Sequence, residues 1–256
     1  MNTRIAIVTG ASKGIGKAAA IRLARDFAGV VVVARTAETL TDKAAEVERQ
    51  GAASLVIPID LKEPGAAAAV VARTVERFGR IDALVNIAGA VLQADLFSMT
   101  DAEWDDGMAL KFHGARRLTL AAWESLRQHQ GSVVLTSGAT ALAPKPAFAA
   151  VGSINAAIAA LAKAFSERGI DDGVQVNSLL PGPVMTDRRR SMLARYAQAH
   201  AIDVDEAKTK FASEARISRY GEPEEIAELI AFLVSPAARW LTGSAVRMDG
   251  GESKAI

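Results

Sequence analysis

The sequence predicts a doubly wound α/β fold, a seven-stranded parallel sheet with helices on both faces. Three observations lead there. Short β-branched runs recur along the 256 residues, helical periodicity fills the gaps between them, and half of the residues are hydrophobic, ample for one buried core. The length suits one α/β domain spanning 1–256, and no repeat, linker or low-complexity tail divides it.

In chain order the strand runs are Ile5–Thr9, Val30–Val33, Leu55–Ile59, Ala83–Ile87, Ser132–Ser137, Gln175–Leu180 and Ala245–Met248. Most are nearly continuous apolar runs, as parallel strands covered on both faces should be. A glycine-rich turn leads from the first strand into a helix. After the fourth, Thr100-Asp-Ala-Glu103 is a capping box that opens a helix carrying Trp104, Met108 and Lys111. Between the sixth and seventh strands runs a long connection, Thr186 to about Arg219, expected to be helical and to cover the crevice. Before the last strand, Ile226, Leu229, Ile230 and Leu233 share one helical face, with Pro223 just inside the helix start. Ligands of such folds bind at the carboxyl ends of the strands.

Composition narrows the chemistry. A net charge of +1 gives no basic field for nucleic acid or an anionic membrane. With no cysteine there is no disulfide, zinc-thiolate site or thiol nucleophile, which suits a reducing cytoplasmic setting. His113, His129 and His200 are scattered without metal-ligand spacing, so no protein-bound metal is expected. Neither a signal-like leader nor an apolar run of spanning length is read in the sequence, so a soluble, unprocessed protein is expected.

The turn Thr9-Gly10-Ala11-Ser12-Lys13-Gly14-Ile15-Gly16 is the first candidate site. Its glycines permit a tight strand exit and close backbone approach to a pyrophosphate, and the helix start supplies N–H groups. Alone it could be an ordinary strand–helix turn.

Taken with later segments, this Thr-Gly-x-x-x-Gly-Ile-Gly turn resembles the fingerprint of the short-chain dehydrogenase/reductase family, a Rossmann-type fold. The similarity runs from residue 4 to Gly251. Asp60, followed by Leu61, resembles the family's adenine-contacting Asp. Asn86-Ile87-Ala88-Gly89 resembles its Asn-Asn-Ala-Gly motif, with Ile in the second place. Asn177-Ser-Leu-Leu-Pro181-Gly182-Pro-Val184-Met-Thr186 resembles the segment that holds the nicotinamide and phosphates, and Asp249-Gly250-Gly251 the C-terminal signature. The resemblance implies a nicotinamide cofactor. NAD(H) enzymes usually place an acid at the end of the second strand. Here that strand ends Val33-Ala34-Arg35-Thr36; Arg35 can fork onto a 2′-phosphate and Lys13 adds a second positive charge, so NADP(H) is expected.

The family's catalytic residues are a Ser, the Tyr and Lys of Tyr-x-x-x-Lys, and an Asn on the preceding helix. Overlaid on this chain, the Ser falls on Gly138, the Tyr on Val151, the Lys on Asn155 and the Asn on Lys111. The only tyrosines, Tyr196 and Tyr220, lie downstream, so the standard proton donor is absent. Lys and Asn have exchanged places. The expectation is that Lys111 bonds the nicotinamide ribose or polarises the substrate carbonyl, oriented by Asn155, and serves as a proton donor if its pKa is depressed. A lysine extending to the helix surface is the plainer alternative. Ser137, Ser153 and His113 are expected to turn away from the reaction.

Gly138, Phe148, Val151 and Gly152 predict a roomy, weakly polar pocket for an apolar or bulky carbonyl or alcohol. Arg188-Arg189-Arg190 with Arg195 reads as a solvated helix face, or as a site for an acidic group. Ala156, Ala157, Ala159 and Ala160 offer close helix contact for a homo-oligomer, a tetramer or dimer. Two functional readings remain: an atypical NADP(H)-dependent oxidoreductase using Lys111 and Asn155, and a catalytically silent NADP(H)-binding sensor or assembly subunit.

Overall fold

The computed structural model describes residues 3–254, and all seven expected strands are found within two residues of their expected bounds. β1 (Ile5–Thr9), β2 (Gly29–Ala34), β3 (Ala53–Pro58), β4 (Ala83–Asn86), β5 (Ser132–Thr136), β6 (Gln175–Pro181) and β7 (Ala245–Met248) form one parallel sheet. Their order is β3-β2-β1-β4-β5-β6-β7. The apolar runs follow from burial on both sides. Ala6, Val8, Val30 and Val32 pack into one core layer, while Ile5, Ile7, Val31 and Val33 pack into the other. Each fully buried aliphatic side chain of this kind contributes about 1.5–3 kcal/mol.

One layer is closed by α1 (Gly14–Leu23), α2 (Glu38–Arg49) and, late in the chain, α9 (Pro223–Leu233). The other is closed by α3 (Ala66–Phe78), α5 (Ala115–Gln128) and α6 (Ala149–Asp172). Between β4 and α5 lies α4 (Asp101–Gly107), opened by the expected capping box: Thr100 Oγ1 accepts from Glu103 N, and Glu103 Oε2 from Thr100 N. The chain then passes directly into a π-helical stretch, Met108–Gly114, before α5 begins. The long connection is helical, as α7 (Asp187–His200) and α8 (Val204–Ala215). These two helices rest on a small cluster of their own, Met185, Leu193, Ala197, Ala207 and Tyr220, apart from the two sheet layers.

One expectation is corrected. Pro146–Asp172, which includes α6, is long and apolar enough to cross a membrane by length and composition, an 18-residue window of it having a mean hydropathy of 1.6. The reason lies in its place as the crossover from β5 to β6: Ile154, Ile158 and Ala162 are buried, and alanines fill much of the rest.

The sheet order reverses between β1 and β4, and the carboxyl ends of those strands diverge there. That is where the cleft opens.

Candidate functional site

A cleft of about 540 Å³ runs across the carboxyl ends of the central strands. Its floor is the turn after β1. Gly10 takes φ +67°, and a Cβ there would stand 3.0 Å from the Ala88 backbone nitrogen. Thr9 fixes that approach, because its Oγ1 accepts from Ile87 N (2.9 Å) and Ala88 N (3.0 Å). At Gly16 a Cβ would collide with the Gly10 carbonyl, so the helix start packs straight onto the turn. No side chain caps α1 at Lys13. Its first-turn N–H groups and the positive end of its dipole favour an anion in the cleft. Ser12, Lys13, Gly14 and Ile15 line this part, and Arg35 and Thr36 line the end beyond β2, with Lys13 and Arg35 exposed. Leu61, Ala88, Gly89, Lys111, Pro181 and Thr186 complete it. A glycine cradle at an uncapped helix start, with the exposed cations Lys13 and Arg35 on the cleft, fits an extended phosphate-bearing dinucleotide.

Four residues expected in this group do not line the cleft. Asp60 turns back on its own chain, its Oδ1 accepting from Lys62 N (3.0 Å). Asn86 is buried beneath the end of β4, where its Nδ2 donates to Thr119 Oγ1 (3.2 Å). Val184 belongs to a sheet layer and bridges to Gly221. Gly182 lines a second cavity instead, and a Cβ there would stand 2.6 Å from Asp249 Cα.

Lys111 occupies the boundary between cleft and second cavity and lines both. It sits in the π-helical stretch, a geometry met often at functional sites. Its stem lies over Gly89, where a Cβ would come within 3.0 Å of Lys111 Cγ and Cδ. Its Nζ donates to the Ser137 carbonyl (3.1 Å) and to Asn155 Oδ1. The surface alternative for Lys111 therefore fails, and the exchanged pair is in direct contact. Asn155 is itself held twice over: Nδ2 donates to Thr140 Oγ1 (2.7 Å), and its carbonyl accepts from Ser137 Oγ (2.7 Å). Burial, and secondarily the charge of Arg188, push the Lys111 ammonium down from 10.5 to about 8.

The glycine at position 138 follows from the same arrangement. A Cβ on Gly138 would stand 2.6 Å from Asn155 Nδ2, so a serine cannot coexist with Asn155 in this pose. Gly138→Ala is expected to cost about 1–3 kcal/mol of stability. It should also lower turnover by dislodging the amide that holds Lys111, while cofactor affinity stays near wild type. Thermal unfolding, kcat and a cofactor titration on the same variant check all three.

The second cavity, about 400 Å³, adjoins Lys111 and Asn155. Gly138, Phe148 and Val151 line it as expected. Gly152 does not: a Cβ there would meet Pro144 Cβ at 2.8 Å, so this glycine is a packing contact beneath the 140–144 loop. Ser137 spends its hydroxyl on Asn155, Ser153 is exposed, and His113 lines neither cavity.

The arginine run divides between environments. Arg188 lines the cleft and donates to Val91 O (2.8 Å), Arg189 lines the second cavity, and Arg190 and Arg195 are exposed. The solvated-face expectation thus holds for Arg188, Arg190 and Arg195, all exposed, and is corrected only for half-buried Arg189, because a helix turns each successive residue by about 100°. Tyr220, Glu252 and Ser253 also line the second cavity and were not singled out as site residues in the sequence. Only the Asp249-Gly250-Gly251 signature pointed near them.

Comparison with known proteins agrees with this geometry. A family model described as enoyl-(acyl carrier protein) reductase matches residues 10–253. The chain is 33% identical over 247 residues to the short-chain reductase protein NovJ of Streptomyces niveus, covering 96% of this chain and 93% of that one. It is 28% identical over 251 residues to 3-oxoacyl-(acyl-carrier-protein) reductase FabG of Staphylococcus aureus, covering 97% and 98%. L-sorbose reductase from Gluconobacter frateurii, solved with NADPH and L-sorbose, superposes with a TM-score of 0.96 at 28% identity, covering 100% of this chain and 98% of that one.

Proposed function

The chain belongs to the short-chain dehydrogenase/reductase family, and we propose that it is an NADP(H)-dependent oxidoreductase acting on a carbonyl or alcohol through Lys111 and Asn155. The observation that carries this reading is the Lys111 ammonium, held by Ser137 and Asn155 on the wall shared by the two cavities. NADPH supplies the hydride when bound. The glycine turn and α1 would hold its pyrophosphate, Arg35 and Lys13 its 2′-phosphate, and Gly89, Pro181 and Thr186 the nicotinamide end.

An ammonium has three donors. Two are engaged by the Ser137 carbonyl and Asn155 Oδ1, and the third serves a ribose hydroxyl or the substrate oxygen. During reduction the proton passes from Nζ to that oxygen; in oxidation the neutral amine takes it back. Asn155 is the positioning residue, fixed by Thr140 and Ser137. Magnitudes favour a working enzyme despite the absent tyrosine. Orientation of the reactants contributes on the order of 7–11 kcal/mol, whereas a general acid supplies roughly 10²–10⁴-fold. In this reading α7 and α8 cover the substrate, and the exposed Ala156 and Ala160 on α6 support a homo-oligomer through close helix contact.

The test is NADPH oxidation with a panel of ketones, aldehydes, quinones and activated alkenes, followed across pH. A carbonyl is expected to be turned over. Because Lys111 holds its proton below about 8, kcat for reduction should be level from pH 6 to 7 and fall about tenfold per unit above 8. NADPH binding without turnover of any carbonyl would return the weight to a silent cofactor-binding protein.

A further inference from the structure

The wall between the cleft and the second cavity carries a group whose other chemistry the proposed reaction leaves unused. Lys111 is half-buried, lines both cavities, and holds its Nζ against two oxygens, the Ser137 carbonyl (3.1 Å) and Asn155 Oδ1. Both oxygens are neutral. Among the described residues no Asp or Glu forms an ion pair with this lysine. The charged neighbour that acts on it, Arg188 of α7, has the same sign.

A valence count shows what this arrangement suits. A neutral amine has two N–H donors and one lone pair. Its two donors match the two acceptors, so the lone pair takes the remaining tetrahedral direction, away from Ser137 and Asn155. An ammonium points a third N–H along that direction, where no described residue accepts it. The same surroundings that bring the ammonium down to about 8 therefore leave a reactive lone pair on the free amine. Desolvation and a neighbouring cation are the two devices by which a lysine becomes a nucleophile toward carbonyls.

The amine is also held in place. Its stem lies over Gly89, and Asn155 is anchored through Nδ2 to Thr140 Oγ1 (2.7 Å). The second cavity leaves room for a carbonyl compound, with Gly138 adding no side chain and Phe148, Val151 and Met192 supplying apolar wall.

We propose that Lys111 is a covalent carbonyl site, its free amine condensing with an aldehyde or unhindered ketone in the second cavity to give an imine. The Nζ lone pair forms the C–N bond while the C=O electron pair moves to oxygen, which takes up an amine proton. The resulting hydroxyl leaves as water with the second amine proton, and C=N remains. Amine and carbonyl thus become imine and water, with nothing oxidised or reduced. A protonated imine keeps one N–H for Asn155 Oδ1. The inference rests on the reading of the second cavity as the carbonyl's place, and it needs no hydride.

The experiment is trapping with sodium cyanoborohydride. The full chain, without nucleotide, is incubated in turn with acetone, benzylacetone and hydrocinnamaldehyde, and reduced adducts are mapped by peptide mass spectrometry. At neutral pH the free-amine fraction of a lysine at about 8 exceeds that of one at 10.5 by about 10²-fold. Lys111 is accordingly expected to be labelled at least about tenfold more than any other lysine by one or more of the probes. Lys111→Met gives the background. Asn155→Asp places a carboxylate of the same shape on Nζ and should cut labelling of Lys111 about tenfold or more by holding the proton, with a melting temperature near wild type. Arg188→Met removes the like charge from exposed α7 and should lower labelling a few-fold. No preference for Lys111 with any probe, or labelling that neither substitution reduces, overturns the imine. NADPH oxidation by the same preparation separates the two ideas. Carbonyl turnover without an adduct at Lys111 removes the imine and leaves the oxidoreductase, whereas an adduct without turnover keeps the imine and removes the oxidoreductase.

Discussion

Lys111→Met is expected to lower kcat for carbonyl reduction by about 10²–10³-fold, within the range a positioned general acid supplies. Methionine keeps an unbranched stem to lie over Gly89 and removes only the donor to Ser137, Asn155 and the reacting oxygen. The fall in rate above pH 8 should vanish with it. Stability should move the other way. The distance from 10.5 to about 8 corresponds to about 3 kcal/mol by which the folded protein disfavours the charged lysine. The sign follows from proton binding: between the two values the unfolded chain holds more protons, so wild-type stability rises with pH across that window. Below it the penalty is present in full, and methionine relieves it. The variant should therefore unfold at the same temperature as wild type or higher at pH 7, with the offset shrinking as pH rises through 8 to 10. Reduced activity with undiminished stability marks a residue kept for chemistry. Wild-type kcat in the variant would sink the mechanism, and a collapse in melting temperature would recast Lys111 as structural.

Arg35→Glu is expected to weaken NADPH by at least about 10²-fold while NADH changes by no more than a few-fold. A charge-assisted bond contributes about 1.5–3 kcal/mol, or roughly 10–150-fold, and reversing the charge adds repulsion. Arg35 is exposed at the cleft, so the wild-type preference for NADPH should fall with added salt. Fluorescence titration with both cofactors at two salt concentrations reads these effects. Equal losses for both cofactors would mean that the substitution disturbs β2 itself, and no loss would assign the phosphate to Lys13.

The strands were legible because burial on both faces writes itself as an unbroken apolar run, and β1, with all five residues buried, is the clearest case. The cleft was legible where the backbone does the binding, since a glycine needed at Gly10 or Gly16 leaves a mark in sequence. Side-chain roles were harder to read. Asp60 and Asn86 stand at motif positions, yet their polar groups are turned to Lys62 and Thr119. The contact of Lys111 with Asn155 was expected from the exchange of residue types. The steric reason for Gly138 was not, because it depends on where an amide 17 positions later lies in space. Tyr220 and Ser253 join one cavity from opposite ends of α9 and β7, a proximity that no local pattern encodes.

The separate cluster beneath α7 and α8 has an energetic consequence. Free energies of local opening scale with the apolar contact that must be broken, and elements outside the main core detach as cooperative units well below the global unfolding threshold. With Met185, Leu193, Ala197, Ala207 and Tyr220 beneath them rather than the sheet, these helices can swing out while all seven strands keep their ladders. Traffic into and out of the second cavity is thereby uncoupled from the integrity of the scaffold. The residues that α7 and α8 themselves bring to that cavity, Arg189, Met192, Phe211 and Glu214, can therefore be exchanged at little risk to the sheet.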